Sequence, residues 1–245
     1  MRKYDSPAPV ILEHAWPDTY LACLPIRVTI GVVMTHPLWR PFEPDNNARR
    51  QAGRVAHRQV QPGPFEAHHP SWGRQFASMH DLISQTIPDQ ALCIRHVGST
   101  AVPGLLAKPV IDIDLTVPDP TAEPSYVPRL ESAGFRLIFR DDVAGDAHRH
   151  LTFNEPNTNL HVWAPHATEP RRHELFAAWL RSHEQDRRIY AEAKRAAADV
   201  GDSRRYNDRK AATVYDIYER IFLTDPSHHH SPQPRTRPDN NLDDQ

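Results

Sequence analysis

A chain of 245 residues amounts to one good-sized domain, or one domain with extensions at its ends. Hydrophobic residues make up 39%, low for a globular protein, and 24 prolines against nine glycines gather toward the two ends, where a core thins out. A formal charge of −2 gives no global basic field to pull the chain onto nucleic acid or anionic lipid, and two cysteines, Cys23 and Cys93, exclude a disulfide-rich scaffold or a Cys-based zinc site and imply a reducing, cytoplasmic setting.

In chain order, residues 1–61 read as a Pro-rich, weakly structured extension. Pro7, Pro9, Pro17, Pro25, Pro37, Pro41 and Pro44 interrupt every apolar run, and 43–61 is polar and Arg-rich without periodicity. The most apolar stretch, 20–34, is broken by Pro25 and Arg27 and is too short to span a bilayer; within it 27–34 is the one strand candidate. From Ser71 the spacing of Trp72, Phe76, Met79, Ile83 and Ile87 predicts an amphipathic helix that starts after Pro70 and stops at Pro88. Strands follow at 91–97 and 109–117, the second with Ile111, Ile113, Leu115 and Val117 on one face. A short helix at 125–133 ends at Gly134, and three more strands are expected at 135–139, 149–153 and 160–163. Helices at 171–183, 185–200 and 204–222 close the domain, and 225–245 reads as a disordered tail. The order makes the domain at 62–224 an α+β fold with a small mixed β-sheet flanked by helices and a helical C-terminal part.

The densest chemistry lies between His96 and Asp114. Gly98-Ser99 after a strand lets backbone approach a ligand, with N–H groups and a hydroxyl for phosphate oxygens. Asp112 and Asp114 lie two apart on the next strand, so both point to one face, roughly 6–7 Å apart along the chain. Two such carboxylates beside a phosphate-cradling turn suit Mg²⁺-dependent phosphoryl or nucleotidyl transfer. Lys108 has two readings, a phosphate contact or a surface lysine, and the scarcity of lysine in an Arg-biased chain supports the first. Thr100 closes the turn or joins it as a ligand, and no Ser-His-Asp arrangement makes Ser99 a nucleophile. His148, His150 and His161 read either as a metal or phosphate cluster beside the acids or as polar strand-edge residues. His96 reads as a structural partner of the turn.

Val97-Gly98-Ser99, the spacer and Asp112-Ile113-Asp114-Leu115 resemble the nucleotidyltransferase superfamily signature. The whole run 96–112 resembles the GrpB-like family still more closely, as do Phe65-Glu-Ala-His-His-Pro-Ser-Trp72, Leu160-His161-Val162, the run 206–210 and the stripe from Val214 to Ile221. The resemblance covers about 62–224. It implies a nucleotidyltransferase-like fold, Asp112 and Asp114 as ligands of Mg²⁺ or Mn²⁺, and Gly98, Ser99, Thr100, Lys108 and Lys210 as contacts for a nucleotide or phosphorylated small molecule. Members of the family also occur fused to dephospho-CoA kinase, but this chain has no Gly-x-x-x-x-Gly-Lys-Ser/Thr to support a kinase label. Active nucleotidyltransferases place a third carboxylate on a later strand, where this chain carries His161, a poorer Mg²⁺ ligand. Three readings stay open: nucleotidyl transfer with Asp112, Asp114 and His161 as the catalytic set, a non-catalytic nucleotide-binding module, and a metal-dependent phosphohydrolase.

Overall fold

The computed structural model describes residues 34–42, 51–198, 203–233 and 235. The strand expected at 27–34 lies outside them except for Met34. The helices are α1 (Ser71–Thr86), α2 (Val127–Ser132), α3 (Glu169–Ser182), α4 (Glu184–Ala198) and α5 (Ser203–Thr224). The strands are β1 (Cys93–Val97), β2 (Ile111–Thr116), β3 (Arg136–Val143), β4 (Asp146–Phe153) and β5 (Thr158–Trp163), and 3-10 turns lie at Ser99–Ala101 and Glu123–Ser125. The α+β class, the small mixed sheet and the helical C-terminal part expected from the sequence are all present.

Three elements differ most from expectation, the others by one or two residues at an end. The helix read at 125–133 begins as the 3-10 turn at Glu123–Ser125 and becomes α-helical only from Val127, with Pro128 in its first turn. The strands read at 135–139 and 149–153 are longer and form a hairpin through Ala144 and Gly145, both at positive φ (53° and 90°). Their added residues are mostly polar, so hydrophobic runs alone stop short of them.

The strands pair in the order β1-β2-β5-β4-β3, and only β2 and β5 run parallel. Register puts Leu137, Leu151, Leu160 and Ile113 in one row across four strands. Together with Ile111, Leu115 and Val162 they form an apolar face that packs on Trp72, Met79 and Ile83 of α1 and on Val127 and Leu130 of α2. Each such side chain contributes about 1.5–3 kcal/mol by leaving water. The opposite face carries Asp112 and Asp114 from β2, Asn159 and His161 from β5, His148 and His150 from β4, and Asp141 from β3. A second core, built by α3, α4 and α5 around Leu180, Tyr190, Ile217, Tyr218 and Phe222, takes in Val102 and Leu105 from the loop after β1.

Parts of both flanks are packed on this body, against the expectation of weak structure outside 62–224. The Val55 N–H donates to the Ile138 carbonyl at 3.0 Å, which ties 51–61 to β3. Trp39 Nε1 donates to Glu219 of α5 at 2.8 Å, and the His36 ring stacks on Phe222 at 4.4 Å. From the other end, the Gln233 N–H donates to Glu219 at 3.0 Å and the His230 side chain is fully buried beside the same carboxylate. The Leu38 N–H donates to His36 Nδ1, so the ring proton sits on Nε2 and is given to Asp225 at 3.0 Å. His228 Nδ1 lies 2.9 Å from the same Asp225 oxygen. Composition hid these segments because hydrogen-bonded imidazoles and carboxylates, rather than an apolar stripe, hold most of them down.

Candidate functional site

β1 delivers the chain to Gly98, whose φ of 70° and ψ of −166° fall in a region open almost only to glycine. A Cβ there would sit 2.4 Å from Asp112 Oδ2. The turn and the acid therefore fit together only because position 98 has no side chain. Thr100 is buried and donates its hydroxyl to the Val110 carbonyl at 3.1 Å, and it accepts from His96 Nε2 at 3.0 Å. His96 stacks on Phe76 at 4.8 Å; burial, with Arg181 nearby, pushes its pKa down to about 4. His96 and Thr100 thus staple the loop between β1 and β2.

Asp112 and Asp114 share a face but have different surroundings. Asp112 Oδ1 accepts from Asn159 Nδ2 at 2.6 Å, and Asn159 Oδ1 in turn accepts from Arg58 at 2.5 Å and lies 3.1 Å from His150 Nε2. Burial pushes the Asp112 carboxyl above the usual carboxylate range, opposed by the Asn159 bond and by Lys210. Asp114 is 2% exposed and both its oxygens take N–H donors, Oδ1 from Trp163 Nε1 at 2.9 Å and Oδ2 from His173 Nδ1 at 2.8 Å. Burial works against a charge on His173, yet the Asp114 carboxylate outweighs it and holds the pKa above the ordinary value. His161 lies opposite Asp114 in register, but its Nδ1 is 3.1 Å from His148 Nε2, and His148 Nδ1 donates to Asp141 at 2.6 Å. The rings of His150, His161, His148 and Trp163 stack in sequence, with centroids 4.6, 5.2 and 4.2 Å apart.

A cleft of about 420 Å³ opens where this face meets 54–65 and the helices, within the size range of small-molecule sites. Ser99, Lys108, Asp112, His150 and Asn159 line it from the sheet side, Arg54 and Arg58 from the N-terminal flank, and Tyr190, Lys194 and Lys210 from α4 and α5. Five of these side chains are cationic and one is a carboxylate. The Lys194 ammonium, 1% exposed, donates to Ser99 Oγ at 3.0 Å and also to the Leu106 carbonyl. It lies 4.7 Å from the Tyr190 ring centroid, and burial, with Lys210 nearby, lowers its pKa to about 7. Lys108 sits 5.3 Å from the Phe65 ring.

Of the residues singled out in the sequence, the structure brings Ser99, Lys108, Asp112, His150 and Lys210 to this cleft, with Gly98 against Asp112. It leaves Thr100, Asp114 and His161 out of the lining. Reading along the chain missed Lys194, Arg54, Arg58 and Asn159. One signal was available: the chain has four lysines, and three of them converge here.

A divalent ion shared by Asp112, Asp114 and His161 does not fit this donor set. Asp114 is enclosed outside the cleft lining with an N–H donor on each oxygen, His161 is outside the lining too, and Asp112, the one carboxylate that lines the cleft, faces five basic side chains there. Among the described residues, the His36, Asp225 and His228 group alone brings three ligand atoms within 4.8 Å of one another. There His36 Nε2 carries the ring proton and acts as a donor rather than a ligand.

A family profile described as GrpB protein matches residues 65–220. A UPF0157 protein of Halalkalibacterium halodurans is 39% identical over 159 residues, 63% of this chain and 80% of that one. The crystal structure of conserved protein GrpB from Enterococcus faecalis superposes with a TM-score of 0.56 at 22% identity, over 65% of this chain and 98% of that one. A dephospho-CoA kinase of Mycobacterium leprae is 28% identical over 185 residues, which take in 62% of this chain and 45% of the kinase. The profile spans the sheet, the turn at Gly98, the cleft lysines and most of α5, so the chain belongs to the GrpB family.

Proposed function

We propose that the protein binds a nucleotide or another phosphorylated small molecule in the cleft between the polar sheet face and α4–α5. The observation that carries this reading is the gathering of Lys108, Lys194, Lys210, Arg54 and Arg58 around one carboxylate in a chain whose net charge is −2. Such a concentration of positive charge in a concave, partly apolar site suits an anion with several oxygens. Ser99 supplies a hydroxyl at the floor, and Phe65 and Tyr190 offer ring faces for the body of a ligand.

The binding-module reading is preferred to nucleotidyl transfer or phosphohydrolysis. Both reactions call on Asp112, Asp114 and His161 to converge on metal, but of the three only Asp112 lines the cleft, while Asp114 and His161 lie outside the lining against Trp163, His173 and His148. A thermal-shift panel of nucleoside triphosphates, monophosphates and unphosphorylated nucleosides tests the proposal. Phosphorylated members should raise the Tm and the nucleosides should not. Equal shifts for a nucleotide and its nucleoside, or no shift for any member, would sink it.

A further inference from the structure

The cleft has the form of a phosphate site, yet its acids are not arranged to hold the divalent cation that usually accompanies a polyphosphate. Something else must offset the charge of the ligand. Lys194 is a lining cation held in place from both sides. Its Nζ is fixed by the Leu106 carbonyl and by Ser99 Oγ, the hydroxyl of the turn that approaches the ligand. Its stem is sealed from water, with Tyr190 of its own helix at 4.7 Å and Phe65 at 6.0 Å from Nζ. Lys210 of α5, Arg195 of α4 and Asp112 of β2 are the charged groups that act on it. Arginine supplies nearly all the other positive charge of the chain, but a guanidinium is planar and forked. An ammonium is a compact point charge with three donors, closer in shape to a metal ion.

We propose that Lys194, backed by Lys108 and Lys210, is the resident cation of this cleft and stands in for a divalent metal, so that the ligand binds as a metal-free phosphate anion. The inference rests on the phosphate-cleft reading and adds the form in which the ligand is taken. In the empty cleft the Lys194 ammonium gives one N–H to the Leu106 carbonyl and a second to Ser99 Oγ, which leaves its third N–H for a ligand. An arriving phosphate favours the ammonium, and the third N–H turns to it. Burial and the nearby Lys210 lower the Lys194 pKa to about 7, and an anion beside it offsets both effects. Mg²⁺ bound to the ligand would then compete with Lys194 rather than assist it.

The probe is inorganic pyrophosphate, titrated calorimetrically into the full chain with EDTA and, separately, with excess Mg²⁺. Binding in EDTA should be at least as tight as with Mg²⁺. Lys194→Met should weaken it about tenfold or more. Lys194→Gln, which keeps a donor for Leu106 without the charge, is run beside it in case the methionine variant misfolds, and it should weaken binding similarly. Binding that appears only with Mg²⁺ overturns the inference and leaves the phosphate cleft standing. Folded Lys194 variants that bind like the parent overturn it too. No binding under either condition removes the phosphate-cleft reading along with it.

Discussion

Gly98 concentrates two constraints in one residue, a backbone conformation that side chains avoid and a carboxylate where a Cβ would lie. Gly98→Ala should therefore cost about 1–3 kcal/mol in backbone strain alone, with displacement of Asp112 added. Chemical denaturation reads the first effect and loss of ligand-induced Tm shifts the second; an alanine variant as stable as the parent would mean the turn has another conformation open to it. His96 sets a pH dependence of definite sign. Its folded pKa of about 4 lies below the ordinary imidazole value of 6.5, so the unfolded chain binds the extra proton between these values. Stability should fall as pH drops from about 6.5 toward 4, by on the order of 2 kcal/mol once partial exposure is allowed for. His173 has the opposite sign: its raised pKa gives stability that is full below the unfolded value and lost as pH rises through the folded one. His96→Gln should flatten the acid-side loss in denaturation curves recorded across that range, and an unchanged slope would assign the loss to other groups.

Among the elements, Asp114 joins three pieces of chain: β2, which carries it, β5 through Trp163 and α3 through His173. Asn in its place keeps one acceptor and turns an NH₂ toward a donor, so Asp114→Asn should cost about 1–3 kcal/mol. Loss of α3 protection in amide hydrogen exchange would locate the damage; a variant of parental stability and unchanged exchange would return Asp114 to the role of a spare ligand. The alternation of Ile111, Ile113 and Leu115 made β2 and the side of its acids readable in the sequence, and helical spacing made α1, α3, α4 and α5 readable. Which donors would occupy Asp114 was not readable. Trp163 and His173 reach it from 49 and 59 residues away, and neither periodicity nor motif spacing encodes a pairing across a parallel β2–β5 contact. Arg54 and Arg58 escaped for a related reason. The segment 51–61 has no periodic pattern of its own and is ordered by pairing to an edge strand, β3.

At the scale of the whole molecule, charge is segregated rather than abundant. Against a net charge of −2, the cleft alone gathers five cations and one carboxylate. Pyrophosphate affinity should therefore fall severalfold as salt is raised through the range where the screening length drops from about 10 Å to about 3 Å. Titrations at a series of ionic strengths check this, and a flat response would mean the ligand meets the cleft through its apolar walls. The two flanks show a different long-range order. Both the segment at 34–42 and the segment at 225–233 lie along α5, and the Ser231 N–H donates to the Met34 carbonyl at 2.9 Å. The first and last described segments thus meet, which makes the linear order of the described body separable from its architecture. Residues 231 and 34 could be joined by a short glycine-serine bridge and new ends opened at the exposed Ala144–Gly145 turn, far along the chain from the cleft lysines. Such a circular permutant should fold and keep its Tm response to pyrophosphate. By the same geometry the body could be spliced into a surface loop of another protein, as an insert held at residues 34 and 231.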